Sequence, residues 1–181
     1  MRKFIDLHLH LDGSVPVATV KKLMKEHNMP ALSDEELRQE LSVDSSCKSL
    51  DQFLEKFALP NKLMQTRHDL KTIVYDLLVE LKQQGLVYAE IRFAPQLHTK
   101  KGLTQEDAIE AVISGLNKFL ADQKKQKTSP ELHAGLILCL MRFADNQKQN
   151  METVKLAKKF LGKGVVGLDL AGAEGPIPNI K

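Results

Sequence analysis

Tryptophan is absent from this 181-residue chain, and aromatic residues make up only 5% of it. So sparse a set does not build the stacked aromatic platforms that hold single-stranded nucleic acid. No block of one charge sign occurs either; the net charge is +3 and Lys, Arg, Asp and Glu are spread along the chain. A nucleic-acid partner is therefore not expected. No stretch approaches the roughly 18 consecutive apolar residues of a membrane span. Asp6, His8, His10 and Asp12 interrupt any apolar run after Met1-Arg2-Lys3, so the start does not read as a secretory signal. Only two cysteines are present, Cys47 and Cys139, far apart and in no CxxC pair. They read as two reduced thiols, and the expectation is a cytoplasmic protein with no membrane partner.

What is present is a normal globular balance, 43% hydrophobic and 27% charged, with chain enough for one sizeable core in a single domain over 1–181. Residues 5–12 alternate strictly between aliphatic and ionisable side chains, the period of a strand, and Gly13-Ser14 breaks it. Helical spacing follows over 16–28. Ser33-Asp34-Glu35-Glu36 opens a short helix to about Leu41. Ser49 caps a further helix carrying "LDQFLEKF". Residues 60–84 read as one long helix, with Gly85 at its C-terminal cap. "LVYAEIRFAP" reads as a strand. Thr104 caps the next helix, "LHAGLILCLM" reads as a strand buried on both faces, Asp145 caps a helix ending at Gly162, and "GVVGLDLAG" is the last strand.

Alternating strands and helices predict an α/β fold with a parallel sheet. A doubly wound sheet and a (β/α)8 barrel share that order. A barrel usually needs about 250 residues. The expectation is either a compact four-stranded unit or the first four β/α units of a barrel, with extra helices after strand 1.

Chemistry gathers at the strand ends. Residues two apart on a strand point the same way, with a repeat of about 6.8 Å. His8 and His10 should therefore face one side together with Asp6 and Asp12, while Ile5, Leu7, Leu9 and Leu11 pack on helices. Two imidazoles so placed can reach one divalent ion, and zinc suits imidazole and carboxylate ligands. A half-exposed strand with a solvated polar face is the alternative for HxH by itself. Arg92 closes the second strand, Met141 and Arg142 the third, and Asp169, Gly172 and Glu174 the fourth. Ligand sites of parallel α/β folds sit at that end.

"DLHLHLDGS" resembles the opening signature of the adenosine deaminase family, and "VYAEIRFAPQLH", "LILCLMRF" and "VVGLDLAGAEG" resemble its next three strands in the same order. The resemblance implies the N-terminal half of a deaminase barrel. It also implies hydrolytic deamination of adenosine or deoxyadenosine to inosine and ammonia, with water activated at zinc. On that resemblance His8 and His10 are metal ligands, Asp12 binds the ribose, Gly172 offers backbone to the purine, and Asp169, Arg92 and Arg142 are supporting residues. Phe53, Leu54 and Phe57 would wall the nucleoside, although their spacing alone favours an amphipathic helix facing the core. The family's H-A-G-E glutamate, its remaining histidines and its metal-binding aspartate belong to later strands. His27, His68, His98 and His133 do not match those motifs, and Glu174 is a poor substitute for the glutamate. No catalytic residue is therefore expected in this chain, nor activity from it alone. The alternatives are a non-catalytic half-barrel that self-associates through exposed strand edges, and a deaminase of a related purine such as adenine or aminofutalosine.

Overall fold

A computed structural model of the chain describes residues 3–127, 129–143 and 145–172. Glu174 and the closing "GPIPNIK" lie outside them. Four strands, β1 (Phe4–His10), β2 (Leu86–Phe93), β3 (His133–Met141) and β4 (Val165–Ala171), form one parallel sheet in the order β1-β2-β3-β4. A doubly wound sheet reverses its strand order part-way; a barrel does not. The sequential order is therefore barrel-type winding.

Seven α-helices occur among the described residues: α1 (Val17–Glu26), α2 (Asp34–Leu41), α3 (Leu50–Glu55), α4 (Ala58–Leu63), α5 (Arg67–Gln83), α6 (Gln105–Lys125) and α7 (Gln147–Phe160). The first five lie between β1 and β2. Ser33 caps α2 in a reciprocal capping box with Glu36, and Thr104 does the same for α6 with Asp107. The single helix expected over 60–84 is two helices. Met64 leaves helical geometry at ψ 52°, and Thr66 starts α5 by accepting the Asp69 backbone N–H. The second helical start, Thr-x-x-Asp, lies inside a continuous apolar stripe that concealed it. Before α7, Asn146 rather than Asp145 occupies the cap position, since Asp145 adopts a positive φ of 55°. A short 3-10 helix, Pro95–His98, follows β2.

The core lies between the sheet and the pair α5 and α6. Ala89, Ile91 and Phe93 of β2 and Leu136 and Leu138 of β3 meet Leu70, Ile73, Leu77, Ile109, Val112 and Leu116, all at most 3% exposed. The two helices approach closely at Gly115, where an added Cβ would come within 2.3 Å of Val74 Cγ1 and 2.5 Å of the Lys71 carbonyl oxygen. The second obstacle is backbone and cannot rotate away. Gly115→Ala should therefore destabilise the fold by about 2 kcal/mol, the range of overpacked cores, read from urea denaturation. A neutral effect would mean the helices are free to part.

β1 departs from its expected register. Ile5 pairs with Tyr88 and Asp6 with Ala89, but Leu9 pairs with Ile91, so β1 carries one extra residue between Asp6 and Leu9. A slip of one residue exchanges the two faces. Above it, Leu9 points to the helices and His10 to the open face, as expected, and Leu11 is fully buried. Below it the pattern inverts: Asp6 shares the helix side with Ala89, and Ile5 the open side with Tyr88. Ile5 and Leu7 are 64% and 54% exposed rather than packed on helices. Val166, Leu168 and Leu170 of β4 are exposed as well. No helix among the described residues covers these two edge strips.

Two backbone groups at the slip are satisfied by side chains. The His8 N–H donates to Asp6 Oδ1 at 2.9 Å, and the Leu7 carbonyl accepts from Arg92 Nη2 at 3.2 Å. Bulges recur beside active sites, where they re-aim side chains. Cys47 and Cys139 are both free thiols, as expected. No helix among the described residues is long and apolar enough to cross a membrane.

Candidate active site

On the open face of the sheet, register places His10, Arg92, Ile137 and Gly167 in one row across the four strands, with Cys139 and Asp169 paired one step further on. The His8 and His10 rings stand side by side, with centroids 5.4 Å apart and planes tilted by 42°. Burial lowers the pKa of His10 below its ordinary value, and the charges of Arg92 and His8 lower it further; Asp169 opposes them. A neutral imidazole is the form that ligates a metal. The side-by-side placement of the two rings fits two positions of a zinc shell. Among the described residues no group of three or more His, Cys, Asp or Glu is placed to hold a metal.

Arg92 is 8% exposed and ties the open face together. Its Nη1 pairs with Asp169 of β4, reaching across β3, while Nη2 holds the Leu7 carbonyl of β1. Beneath the pair lies Cys139, whose thiol is pushed up to about 12 by burial and by Asp169. It is inert at neutral pH.

Asp12 follows β1 and is 7% exposed. Its Oδ2 accepts from Asn61 Nδ2 at 3.2 Å. Its Oδ1 is buried with no hydrogen-bond partner among the described residues, and His10 Nδ1 stands 4.0 Å away. Burial pushes this carboxyl above its ordinary value, against the Asn61 amide and the Asp12 and Gly13 backbone. Phe57 packs edge-on to His10 at 6.0 Å between centroids, and Phe53 edge-on to Phe57 at 5.3 Å. Asp12, Gly13, Phe53, Phe57 and Pro60 line a cavity of about 180 Å³. A complete small-molecule site is usually about 300–1,000 Å³. A larger groove of about 540 Å³ runs beside α2 and α3 but reaches none of the open-face groups.

The structure thus brings together His8, His10, Asp12, Phe53 and Phe57, and separately joins Arg92 to Asp169. Phe53 is 42% exposed and Leu54 36%, so the reading of "FLEKF" as a core-facing helix does not hold for them. Leu54 lies outside the Asp12 cavity. Gly172 and Arg142 meet at the β3–β4 end. Gly172 has φ 112°, a conformation that favours glycine, and its ideal Cβ position is 3.4 Å from Arg142 Cβ. His133 starts β3 at the opposite end of the sheet, as expected, and His27 and His68 lie on the α1–α5 surface.

The contact of Asn61 with Asp12 and the burial of His98 were not legible from sequence. Asn61, 49 positions from Asp12, gives no local signal of that contact. His98 is fully buried against Phe93, in a segment read only as the close of a strand.

A parallel sheet in sequential order, with paired imidazoles and a buried carboxylate at the carboxyl end of its first strand, is the first half of a (β/α)8-type barrel with its polar groups at the end where such barrels carry their sites. The family model described as adenosine deaminase matches residues 4–181. The chain belongs to the adenosine deaminase family. It is 49% identical over 176 residues to an adenosine deaminase of Haemophilus ducreyi, covering 94% of this chain and 49% of that protein. An Arabidopsis ADAL structure complexed with GMP superposes with a TM-score of 0.72 at 27% identity, over 93% of this chain and 49% of that one. An amidohydrolase from Burkholderia ambifaria with bound Zn superposes with a TM-score of 0.75 at 20% identity, over 96% and 45%, which speaks to the fold. The chain spans about half the length of these relatives.

Proposed function

We propose that this chain carries the N-terminal part of a zinc-dependent active site that hydrolyses adenosine or deoxyadenosine to inosine and ammonia. The observation that carries the reading is the juxtaposition of the His8–His10 pair with a buried carboxylate oxygen, Asp12 Oδ1, that lacks a donor. A buried acceptor without a partner is costly, and a ligand hydroxyl would satisfy it. A ribose supplies such a donor. Free adenine carries no hydroxyl, and a phosphate in place of the 5′-hydroxyl would bring like charge towards the carboxylate. This favours a nucleoside over adenine as the first reading; a nucleotide such as the one bound by the Arabidopsis relative, and an aminofutalosine-type substrate, carry ribose hydroxyls too and are the alternatives.

His8 and His10 would hold the zinc, which when bound supplies activation of the attacking water. Asp12 would orient the sugar. Phe57 and Phe53, with Leu54 at the margin, would shield the base from water. The backbone at Gly172 would meet the purine ring. Arg92, Asp169 and Arg142 would keep the strand ends in register. The C6 amino group leaves as ammonia and one water oxygen takes its place.

Two imidazoles fall short of the roughly three protein ligands of a catalytic zinc site. After dialysis against a chelator, the 181-residue chain should retain little zinc. Stoichiometric zinc that disappears in His8→Ala would overturn the two-ligand reading. The chain alone should show no fall in adenosine absorbance. Activity should appear when it is mixed with the C-terminal half of a full-length relative, and activity in the chain alone would sink the proposal. The exposed edges of β1 and β4 favour a second reading, self-association, because unpaired strands template further pairing. A monomer by light scattering would remove it.

A further inference from the structure

Asn61 is half-buried, carries no charge and sits on α4. Its carboxamide nitrogen donates twice, to Asp12 Oδ2 at 3.2 Å and to the Phe57 carbonyl at 3.0 Å. Both partners are acceptors, so they determine which way the amide faces. The arrangement leaves its own Oδ1 buried with no partner among the described residues. The buried Asp12 Oδ2 thus depends on Asn61 for its donor, at the cost of one unbonded oxygen on Asn61 itself.

Asn61 is itself braced. Its backbone carbonyl accepts from Gln65 Nε2 at 2.6 Å. Gln65 is 2% exposed; Nε2 also reaches the Leu97 carbonyl at 2.9 Å, and Oε1 accepts the Lys100 N–H at 3.0 Å. A strut of amides therefore runs from the segment after β2, through Gln65 and Asn61, to the carboxylate after β1. Among the described side chains, Asn61 is the one hydrogen-bonded to Asp12. With Oδ2 held, Oδ1 has one direction in which to point. The same amide ties the Phe57 backbone to Asp12, so the aromatic wall and the carboxylate keep a common spacing.

We infer that Asn61 is a positioning residue that aims Asp12 Oδ1 at a sugar hydroxyl of the bound nucleoside, with Gln65 as its anchor. This inference rests on the proposed role of Asp12 as the ribose-reading group. A hydrogen bond to a well-aimed carboxylate distinguishes a nucleoside from the same base without hydroxyls by about tenfold or more.

The test titrates the 181-residue chain with adenosine and, separately, with 9-methyladenine, which keeps the N9-substituted base and has no hydroxyl. Binding is followed by chemical shift changes in protein NMR spectra. The wild type should prefer adenosine by about tenfold. Asp12→Ala and Asn61→Leu should each remove that preference, and the double variant should lose nothing more. Asn61→Asp, nearly isosteric, should also remove it, because a second carboxylate repels the first. Affinity for 9-methyladenine should not move in the Asn61 variants, which a collapse of the site would not spare. If Asn61→Leu and Asn61→Asp keep the preference while Asp12→Ala loses it, or weaken both probes equally, the positioning role is wrong and the reading of Asp12 stands. If the wild type shows no preference, or Asp12→Ala retains it, the sugar-reading role of Asp12 fails and the inference falls with it.

Discussion

Asp169→Ala is expected to destabilise the chain by about 3–4 kcal/mol, and Arg92→Met by only about 1–2. The asymmetry comes from what each change leaves behind. Losing Asp169 strands a guanidinium that is 8% exposed, and its Nε already lacks a partner among the described residues. Losing Arg92 strands a carboxylate whose side chain is 33% exposed and can be rehydrated. Removing one partner of a buried pair costs several kcal/mol, whereas replacing both by apolar groups is often close to neutral. The double variant Arg92→Met with Asp169→Leu should therefore lie within about 1 kcal/mol of the wild type. Urea denaturation followed by far-UV circular dichroism gives the three differences. If the single effects simply add in the double variant, the pair is not coupled and the staple across β1, β2 and β4 is not real.

The same pair shows how far residue order reaches. Arg92 and Asp169 could each be assigned to a strand end, because "EIRFAP" and "GLDLAG" place them there. Their meeting across β3 could not be read, since it depends on the register of three ladders. His8 and His10 were legible because strand alternation is a local property, and the structure keeps both rings together. The inverted face below them was not legible. The slip between Asp6 and Leu9 is set by how β1 meets β2, and strict alternation conceals an inserted residue when both neighbours of the slip continue the pattern. The break at Thr66 was present as a helix-start signal, but the apolar stripe on either side outweighed it. Asn61 and Gln65 carry no local signal, because an amide's role is decided by partners 49 and 32 positions away.

The stability of this chain should depend on pH through His98. The ring is 0% exposed, stacks on Phe93 at 5.9 Å between centroids, and has no hydrogen-bond partner on either nitrogen among the described residues. Burial pushes its pKa down to about 4 from the ordinary 6.5, with the Met64 backbone opposing and Lys100 adding to the shift. Between those two values the unfolded chain binds a proton that the folded chain refuses. Stability therefore rises with pH across this window. The contribution is complete above about pH 6.5, is lost progressively as pH falls towards 4, and amounts to about 3 kcal/mol in all. Asp12, whose carboxyl is raised by burial, contributes in the opposite sense, favouring the fold at low pH. A paired comparison cancels it. His98→Met keeps an apolar side chain of similar reach and removes the titration. At pH 7 it should be close to neutral in stability, or slightly stabilising, because two unbonded polar atoms leave the core. At pH 4.5 it should exceed the wild type by about 2 kcal/mol. Urea midpoints for both proteins at half-unit steps between pH 4 and 7.5 would give the difference curve. A flat difference across that range would mean that the folded protein does not depress the pKa of His98, the Met64 carbonyl then being acceptor enough to hold its proton in the fold.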